Sequence, residues 1–266
     1  MTINLITVMK KILVLLSVIL CATSCVFFEQ DNYEGPNATV NGRFIDSKTK
    51  ENVPMECKFG NFFGGAYFGS PTVGYISVFE LGWDYEQAQY WHIRYDGSYT
   101  NTMVFSGKYR LECNADNFYP VTKDNVEFKK GDNTLDWEVT PYARVIDPKV
   151  ELVGGKFVAT FKCEVGDPSK ANTILDAKLL CYQDNFVGIY CNNCGSDPGA
   201  SSNSIVADGK TVNTLTIDPS LPANKPAFPY VGKGKSYYFR IAVLAGGNGA
   251  NPTKAYNYSP SFKIQY

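Results

Sequence analysis

Alternating apolar and polar residues dominate the chain from residue 38 onward. In the segment 109–113, Tyr109, Leu111 and Cys113 fall on one face of an extended strand, while Arg110 and Glu112 fall on the other. No long segment shows helical periodicity, and Gly, Pro, Asn and Asp residues separate the runs. The pattern therefore predicts an all-β protein. The predicted strands before residue 140 are 39–45, 53–59, 75–81, 90–95, 102–105, 107–113, 125–128 and 134–139.

The strand pattern stops at Thr140 to Tyr142 and then starts again. A chain of 266 residues is long enough for two ordinary domains, since domains usually hold roughly 100–150 residues. We predict two tandem β-sandwich domains, 38–141 and 142–266. The second has the strand number and turns of an immunoglobulin or fibronectin type III sandwich, with an inward row of Phe157, Ala159, Phe161, Cys163 and Val165. Its predicted strands are 144–150, 156–165, 177–183, 211–217, 237–244 and 261–266.

The N-terminal segment has the pattern of an export signal. Lys10 and Lys11 precede an apolar run at 12–20, and small residues then lead to Cys25. This order predicts a lipoprotein signal peptide at 1–24 with lipid attachment at Cys25. The apolar run is short for a transmembrane helix, which is therefore the weaker interpretation.

Lipid on Cys25 would anchor the chain to a membrane, because two or more acyl chains hold a protein there stably. Residues 25–37 then form a tether, and the acidic residues after Cys25 loosely resemble surface-export signals. We expect the outer membrane, with exposure at the cell surface. Ala22 stands where a lipoprotein signal usually has Leu. Ordinary secretion, with Cys25 as a structural thiol, is the alternative.

Charge and histidine content narrow the function. The formal net charge is −1, so neither a nucleic-acid surface nor a polybasic membrane patch is expected. The only histidine is His92, and no Gly-x-Ser-x-Gly motif accompanies it. A Ser-His-Asp triad is therefore not predicted.

Cysteine spacing offers three possibilities at Cys191 and Cys194: a structural disulfide or two thiols, a metal site with distant partners, or a redox pair. The following residues, 195–199, look like a loop, which favours the structural alternative. No second pair stands at zinc spacing, and Asp184-Asn185 and Asp116-Asn117 lack regular calcium spacing, so no metal or cofactor is predicted. Four further cysteines lie in predicted strands as small apolar residues: Cys57, Cys113, Cys163 and Cys181.

Glycoside hydrolysis would require two carboxyl groups facing each other across a cleft. Asp84 and Glu86 on one strand face are the easiest pair to nominate. Acidic residues on an exposed face are usually only solvated, and small sandwiches lack a deep cleft. We therefore expect no enzyme, and a weak hydrolase is the minor alternative.

Exposed aromatic rings beside amides and carboxylates favour carbohydrate binding, since sugars stack on rings and hydrogen-bond to polar groups. The glycine-rich segment 60–74 is predicted to be a long loop with exposed rings. Trp91 and Trp137 are assigned to the core, because many aromatic residues in a sandwich are buried. The candidate ligand-binding residues are Trp83, Tyr85 and Tyr90 in the first domain and Tyr182, Phe186 and Tyr190 in the second.

Three segments carry a family resemblance: Asp31-Asn32-Tyr33-Glu34-Gly35-Pro36, Asp96-Gly97-Ser98-Tyr99-Thr100-Asn101 and Thr140-Pro141-Tyr142-Ala143. With them, the chain resembles an uncharacterised family of two-domain Bacteroidetes lipoproteins. The resemblance implies a prealbumin-like first domain, similar to carboxypeptidase regulatory modules, and a fibronectin-type-III-like second domain. It also implies genes in polysaccharide-utilisation loci, beside an outer-membrane transporter and a starch-binding-like lipoprotein.

The sequence and the resemblance lead to one main hypothesis. The protein is expected to be a non-catalytic surface lipoprotein that binds a polysaccharide or glycoconjugate for a nutrient-import complex. The alternative is a protein-interaction scaffold within that complex, with the transporter and the starch-binding-like lipoprotein as possible partners. Rings along one face would favour sugar, and an apolar patch ringed by charge would favour a protein partner.

Overall fold

The computed structural model describes residues 13–14, 34–56, 74–114, 117–170, 172–193, 197–225, 228, 234–246 and 255–266. All sixteen strands belong to one compact unit, Asn37–Tyr266. The strands form four sheets around two main apolar cores. The predicted all-β fold with two β-sandwiches is confirmed.

The first sandwich consists of two four-stranded sheets around one core. Its strands are β1 (Ala38–Asp46), β2 (Tyr75–Glu80), β3 (Ala88–His92), β4 (Ser98–Val104), β5 (Gly107–Cys113), β6 (Val121–Phe128), β7 (Gly131–Thr134) and β8 (Trp137–Val139). One sheet has the order β4-β1-β7, with β8 also paired to β1, and the other has the order β3-β2-β5-β6. In the core, Phe44 stacks on Trp137 with ring centroids 5.4 Å apart. Trp91 and Trp137 are buried, as predicted.

The second sandwich packs a three-stranded sheet, β13-β10-β9, against a five-stranded sheet, β12-β11-β14-β15 with β16 also paired to β14. The strands are β9 (Ala143–Val153), β10 (Lys156–Val165), β11 (Thr173–Tyr182), β12 (Ser201–Ser202), β13 (Asn213–Ile217), β14 (Ser236–Gly246), β15 (Tyr256–Tyr258) and β16 (Phe262–Gln265). A single 3₁₀ turn spans Pro198–Ala200. Phe157 lies 4.3 Å from Phe239 in the core, ring to ring. Of the predicted inward row on β10, Val165 alone is only partly buried.

The strand predicted at 53–59 is wrong in its described part, and residues 57–73, which include most of the predicted aromatic loop and Cys57, lie outside the described residues. Val53 and Met55 are buried, but they belong to no strand. The Met55 amide donates to the carbonyl oxygen of Tyr95 at 2.9 Å. Both side chains pack into the core of the first sandwich, so the segment is buried without pairing as a strand.

Smaller corrections concern strand limits. The predicted strand 134–139 is two short strands, β7 and β8, both parallel to β1. The predicted strand 90–95 ends at His92. Asp84 and Glu86 lie in the irregular connection between β2 and β3, so they do not share a strand face. Strands β12 and β15 were not predicted.

An ion pair is buried where the two sandwiches meet. Asp46 at the end of β1 accepts two hydrogen bonds from Arg144 of β9, from Nε at 2.6 Å and from Nη2 at 2.8 Å. Both side chains are less than a tenth exposed, at 8% and 7%. Arg144 also donates to the carbonyl oxygen of Gly166 at 2.7 Å. The pair therefore ties the first strand of one sandwich to the first strand of the other.

A second buried guanidinium lies close by, on β14. Arg240 lies 4.3 Å from the ring centroid of Tyr258, and the Tyr258 hydroxyl donates to Glu56. Burial and the nearby Glu56 carboxylate raise the pKa of Tyr258. Together with Asp46 and Arg144, these three residues form the junction. Arg240 also donates to four carbonyl oxygens, those of Met55, Tyr95, Val187 and Ser259, at 2.8–3.3 Å.

Candidate functional site

The outer face of the sheet β3-β2-β5-β6 carries aromatic and polar side chains together. Alternation along β2 buries Ile76 and Val78 in the core and turns Tyr75, Ser77 and Phe79 outward. These three side chains are partly exposed to solvent, although two of them are aromatic. Exposed aromatic rings on a sheet face can stack against a ligand.

Strand register brings three rings into one group on this face. Tyr90 of β3 lies opposite Ser77, and His92 lies opposite Tyr75. The Tyr75 ring is 6.4 Å from that of Tyr90 and 5.5 Å from that of His92, edge to face in both pairs. Tyr90 is 52% exposed, so its ring is available for contact. The small side chain of Ser77 leaves room beside it.

A row of polar groups borders the rings on the β5 side. Glu112 lies opposite Ser77, and its Oε1 accepts from Arg110 Nε at 2.9 Å. Its Oε2 accepts from Asn114 Nδ2 at 3.0 Å. Arg110 also bridges to Glu86 at 2.9 Å and lies 4.4 Å above the Phe79 ring. These contacts hold the row in place before any ligand arrives.

The rings and the polar row together make one candidate site. It offers a stacking surface on Tyr75 and Tyr90, with the Ser77 hydroxyl on the strand between Tyr90 and Glu112, and with the Glu112 carboxylate and the Asn114 amide on the β5 side. Partial burial, and to a lesser extent the Arg94 charge, lower the pKa of His92, so its imidazole is neutral at pH 7. The outer-face site is defined as Tyr75, Ser77, Tyr90, His92, Glu112 and Asn114.

Two of the predicted ligand-binding residues lie in the connection between the two strands that carry the ring group. Trp83 and Tyr85 are 58% and 78% exposed, in the connection between β2 and β3. Among the described residues, the ring contacts of Tyr90 reach Tyr75 and neither of these two. The salt bridge from Arg110 to Glu86 fixes the end of the connection. The connection joins the Phe79–Ala88 end of the strand pair, whereas Tyr75 and His92 pair at its other end, so Trp83 and Tyr85 are not part of the ring group.

The residues predicted in the second domain have a different setting. Tyr182 packs into a small apolar cluster on the outer side of β11 and β14, with Leu180, Val187 and Tyr258. The Phe186 ring lies 5.2 Å from that of Tyr95 in the first sandwich. Tyr190 is 68% exposed. The three do not form one stacking surface, because two of them pack against protein.

Comparison with known proteins gives the family. The family model described as "Protein of unknown function (DUF3823) N-terminal domain" matches residues 38–140. A crystal structure from Bacteroides uniformis, described as that of a "putative carbohydrate binding protein", is 30% identical with a TM-score of 0.74. The match covers 87% of this chain and 100% of that chain. The chain belongs to the DUF3823 family.

Other solved DUF3823 proteins have the same fold. Those from Parabacteroides merdae and Bacteroides ovatus are 20% and 21% identical, with TM-scores of 0.64 and 0.62. The matches cover 87% and 86% of this chain, and 100% and 99% of those chains. No curated protein matches the chain.

Cysteine positions in this DUF3823 protein follow the prediction where they are described. Cys113, Cys163 and Cys181 are buried in strands, and burial, followed by the charge of Asp208, raises the pKa of Cys163 to about 11. Cys25 and Cys194 lie outside the described residues, so the predicted lipid site and the 191–194 pair belong to the sequence argument alone.

The described part of the DUF3823 chain holds no group of three or more His, Cys, Asp or Glu side chains that could bind a metal ion. It also holds no helix long and apolar enough to cross a bilayer.

Most of the outer-face site was missed from the sequence. Tyr90 was a candidate and His92 was placed on the same strand face, but Tyr75, Ser77 and Glu112 come from other strands, and Asn114 directly follows β5. The alternation from Tyr75 to Phe79 was a usable signal, because it turns two rings and a serine to the same side.

Proposed function

We propose that this DUF3823 protein binds a polysaccharide or other glycan through the outer-face site, without catalysis. The observation that carries the proposal is the ring group of Tyr75, Tyr90 and His92 beside the polar row of Glu112 and Asn114. Sugars bind by stacking an apolar ring face on an aromatic side chain while their hydroxyls meet polar groups. The site supplies both kinds of contact on one open surface.

Fixed geometry also supports binding at this face. Strand pairing sets the distance between the rings and the polar row, and the bonds of Arg110 and Asn114 orient Glu112. A preformed site loses less conformational entropy when a ligand binds. The relative from Bacteroides uniformis that is described as a putative carbohydrate binding protein points to the same class of ligand.

Replacing Tyr90 by alanine should weaken glycan binding about tenfold, because the exposed stacking surface is lost while the inward face of β3 is unchanged. The measurement is affinity electrophoresis of the full chain against plant, host and microbial polysaccharides. Tyr190→Ala is the matched control, since it removes a tyrosine that is also more than half exposed, from the second sandwich. It should bind like the unchanged chain.

Proton NMR of the same chain with the same glycans gives a local readout at His92, the only histidine of the chain. A glycan on the outer-face site should shift its imidazole proton resonance, because His92 contacts the Tyr75 ring. Glycan binding that shifts no His92 resonance, and that is lost in Tyr190→Ala but not in Tyr90→Ala, would place the glycan on the second sandwich. Failure of every polysaccharide to retard the chain would argue against glycan binding altogether.

We further propose that the protein acts at the cell surface, anchored to the outer membrane by lipid on Cys25, as an accessory of a nutrient-import complex. The support is the order of Lys10, Lys11, the apolar run and Cys25, together with the resemblance to surface lipoproteins. A lipid tether would hold the outer-face site close to a transporter, which raises the effective concentration of captured glycan there.

Replacing Cys25 by alanine should move the chain from the membrane fraction to the soluble fraction and abolish palmitate labelling, because the acylated thiol is lost. Cell fractionation and labelling of the expressed full chain measure this. Cys191→Ala should leave both results unchanged. A Cys25→Ala chain that still fractionates with the outer membrane would contradict the anchor.

A further inference from the structure

A cleft of about 840 Å³ lies between the two sandwiches. This volume falls within the range of roughly 300–1,000 Å³ that is usual for ligand sites, and such sites favour domain interfaces. One wall is the segment 49–54 of the first sandwich, and the other is the start of β9. Because the junction residues Arg144 and Arg240 join the walls, the cleft is already formed without a ligand.

Rigid apolar groups form part of the cleft lining, among charged and polar side chains. Pro54 and Tyr95 come from the first sandwich, and Val145, Tyr258 and Pro260 come from the second. Proline and aromatic side chains have little rotamer freedom, so burying a ligand against them costs little conformational entropy. The lining therefore suits an aliphatic or aromatic side chain of a partner.

Every arginine of the cleft already has polar partners. Arg144 is bonded to Asp46, and Arg43 pairs with Asp136 at 3.4 Å. Arg240 donates to carbonyl oxygens of both sandwiches. These guanidinium groups are therefore committed to holding the protein together, and they offer little to an anionic ligand.

Two carboxylates at the lip of the cleft differ from these. Glu51 and Asp96 are exposed and line the cleft, and within the described parts of the chain neither forms an ion pair. The Asn52 amide donates to the Asp96 carbonyl oxygen at 3.2 Å, which joins the two turns that carry the carboxylates. Across the cleft, Asp147 pairs with Lys162 at 2.8 Å. Asp96 accepts from the Ser98 hydroxyl, which accepts from Arg94, so its link to a cation is indirect. Neither Asp96 nor Glu51 is within ion-pair distance of a cation among the described residues, and both carboxylates can accept from a cationic ligand.

We infer that the cleft binds a segment of a partner protein in which lysine or arginine flanks an apolar side chain. The apolar side chain would lie against Tyr95 and Pro54, and the cationic group would reach Glu51 and Asp96. Charge complementarity of this kind favours a basic segment and disfavours an acidic polysaccharide. The inference does not depend on the outer-face site, because no residue of that site lines the cleft.

The test uses two fluorescent dodecapeptides of equal apolar content, one alternating leucine with lysine and the other leucine with glutamate. Fluorescence anisotropy with the full chain measures their affinities at low and high salt. A carbodiimide, which joins lysine amines to carboxylates, then marks where the lysine peptide lies, and mass spectrometry maps the linked residues. The double variant Glu51→Gln, Asp96→Asn removes both negative charges and keeps the side-chain shapes. It also keeps the side-chain oxygen at position 96 that accepts from the Ser98 amide.

Preferential binding of the lysine peptide, with cross-links at Glu51 or Asp96 and at least about fivefold weaker binding by the double variant, is the expected result. A control double variant at two exposed acids elsewhere, Glu127→Gln with Asp132→Asn, should bind normally. Glycan binding should be equal in all variants. No peptide binding, or cross-links spread over Glu127 and Asp132 with an unchanged affinity in the cleft variant, would overturn the inference.

Discussion

Replacing Arg144 by leucine is expected to lower the free energy of unfolding by about 3–5 kcal/mol. The substitution leaves the Asp46 carboxylate buried without its guanidinium partner, and a buried uncompensated charge is costly. Asp46 retains only local bonds, such as the one from the Lys48 amide at 2.9 Å. Urea denaturation at pH 7, followed by tryptophan fluorescence, measures the loss.

Two controls separate this effect from a general loss of charge. Lys50→Gln removes an ion pair to Glu138 that is more than half exposed on both sides, and it should cost at most about 1 kcal/mol. The double variant Asp46→Leu, Arg144→Leu removes both charges together and should recover part of the stability. A single Arg144 variant that loses no more than Lys50→Gln would show that the buried pair contributes little.

Replacing Arg240 by leucine should uncouple the two sandwiches. The loss of the guanidinium leaves carbonyl oxygens of both sandwiches without their donor and removes the stacking on Tyr258. We expect a loss of at least about 3 kcal/mol, since hydrogen bonds to a charged group contribute roughly 1.5–3 kcal/mol each. Differential scanning calorimetry should show one transition for the unchanged chain and two for the variant.

The matched control is Lys263→Leu, which removes an exposed cation 5.9 Å from the ring of Tyr238. Exposed pairs of this kind contribute about 0.5–1 kcal/mol, so its melting should stay close to that of the unchanged chain. An Arg240→Leu variant that melts in a single transition with a similarly small loss would contradict a coupling role for this residue.

Regular strands were predictable because one face of each is buried. Strand β10 was predicted at its observed limits, since Phe157, Ala159 and Phe161 alternate with outward residues. The strand predicted at 53–59 was wrong because burial does not require a strand. Val53 and Met55 lie in the core of the first sandwich although neither belongs to a strand, and local alternation does not distinguish a buried strand from a buried irregular segment.

The candidate site shows a similar limit. Alternation was enough to place Tyr90 and His92 on one strand face, because only neighbouring residues are involved. Placing Tyr75 and Glu112 beside them requires the register between strands β3, β2 and β5, which depends on contacts across the whole sandwich. Tyr182 was predicted as a ligand contact but is partly buried, because the apolar cluster that covers it includes residues distant in the chain. Phe186 is exposed, although its ring also contacts that of Tyr95.

The main-chain partners of Arg240 have a consequence for how such a chain can diverge. Its acceptors at Met55, Tyr95 and Val187 are backbone oxygens, which every amino acid supplies. Substitutions at those three positions that preserve the backbone path leave the acceptors in place. These contacts of Arg240 can thus persist through generations of change at the positions that it contacts.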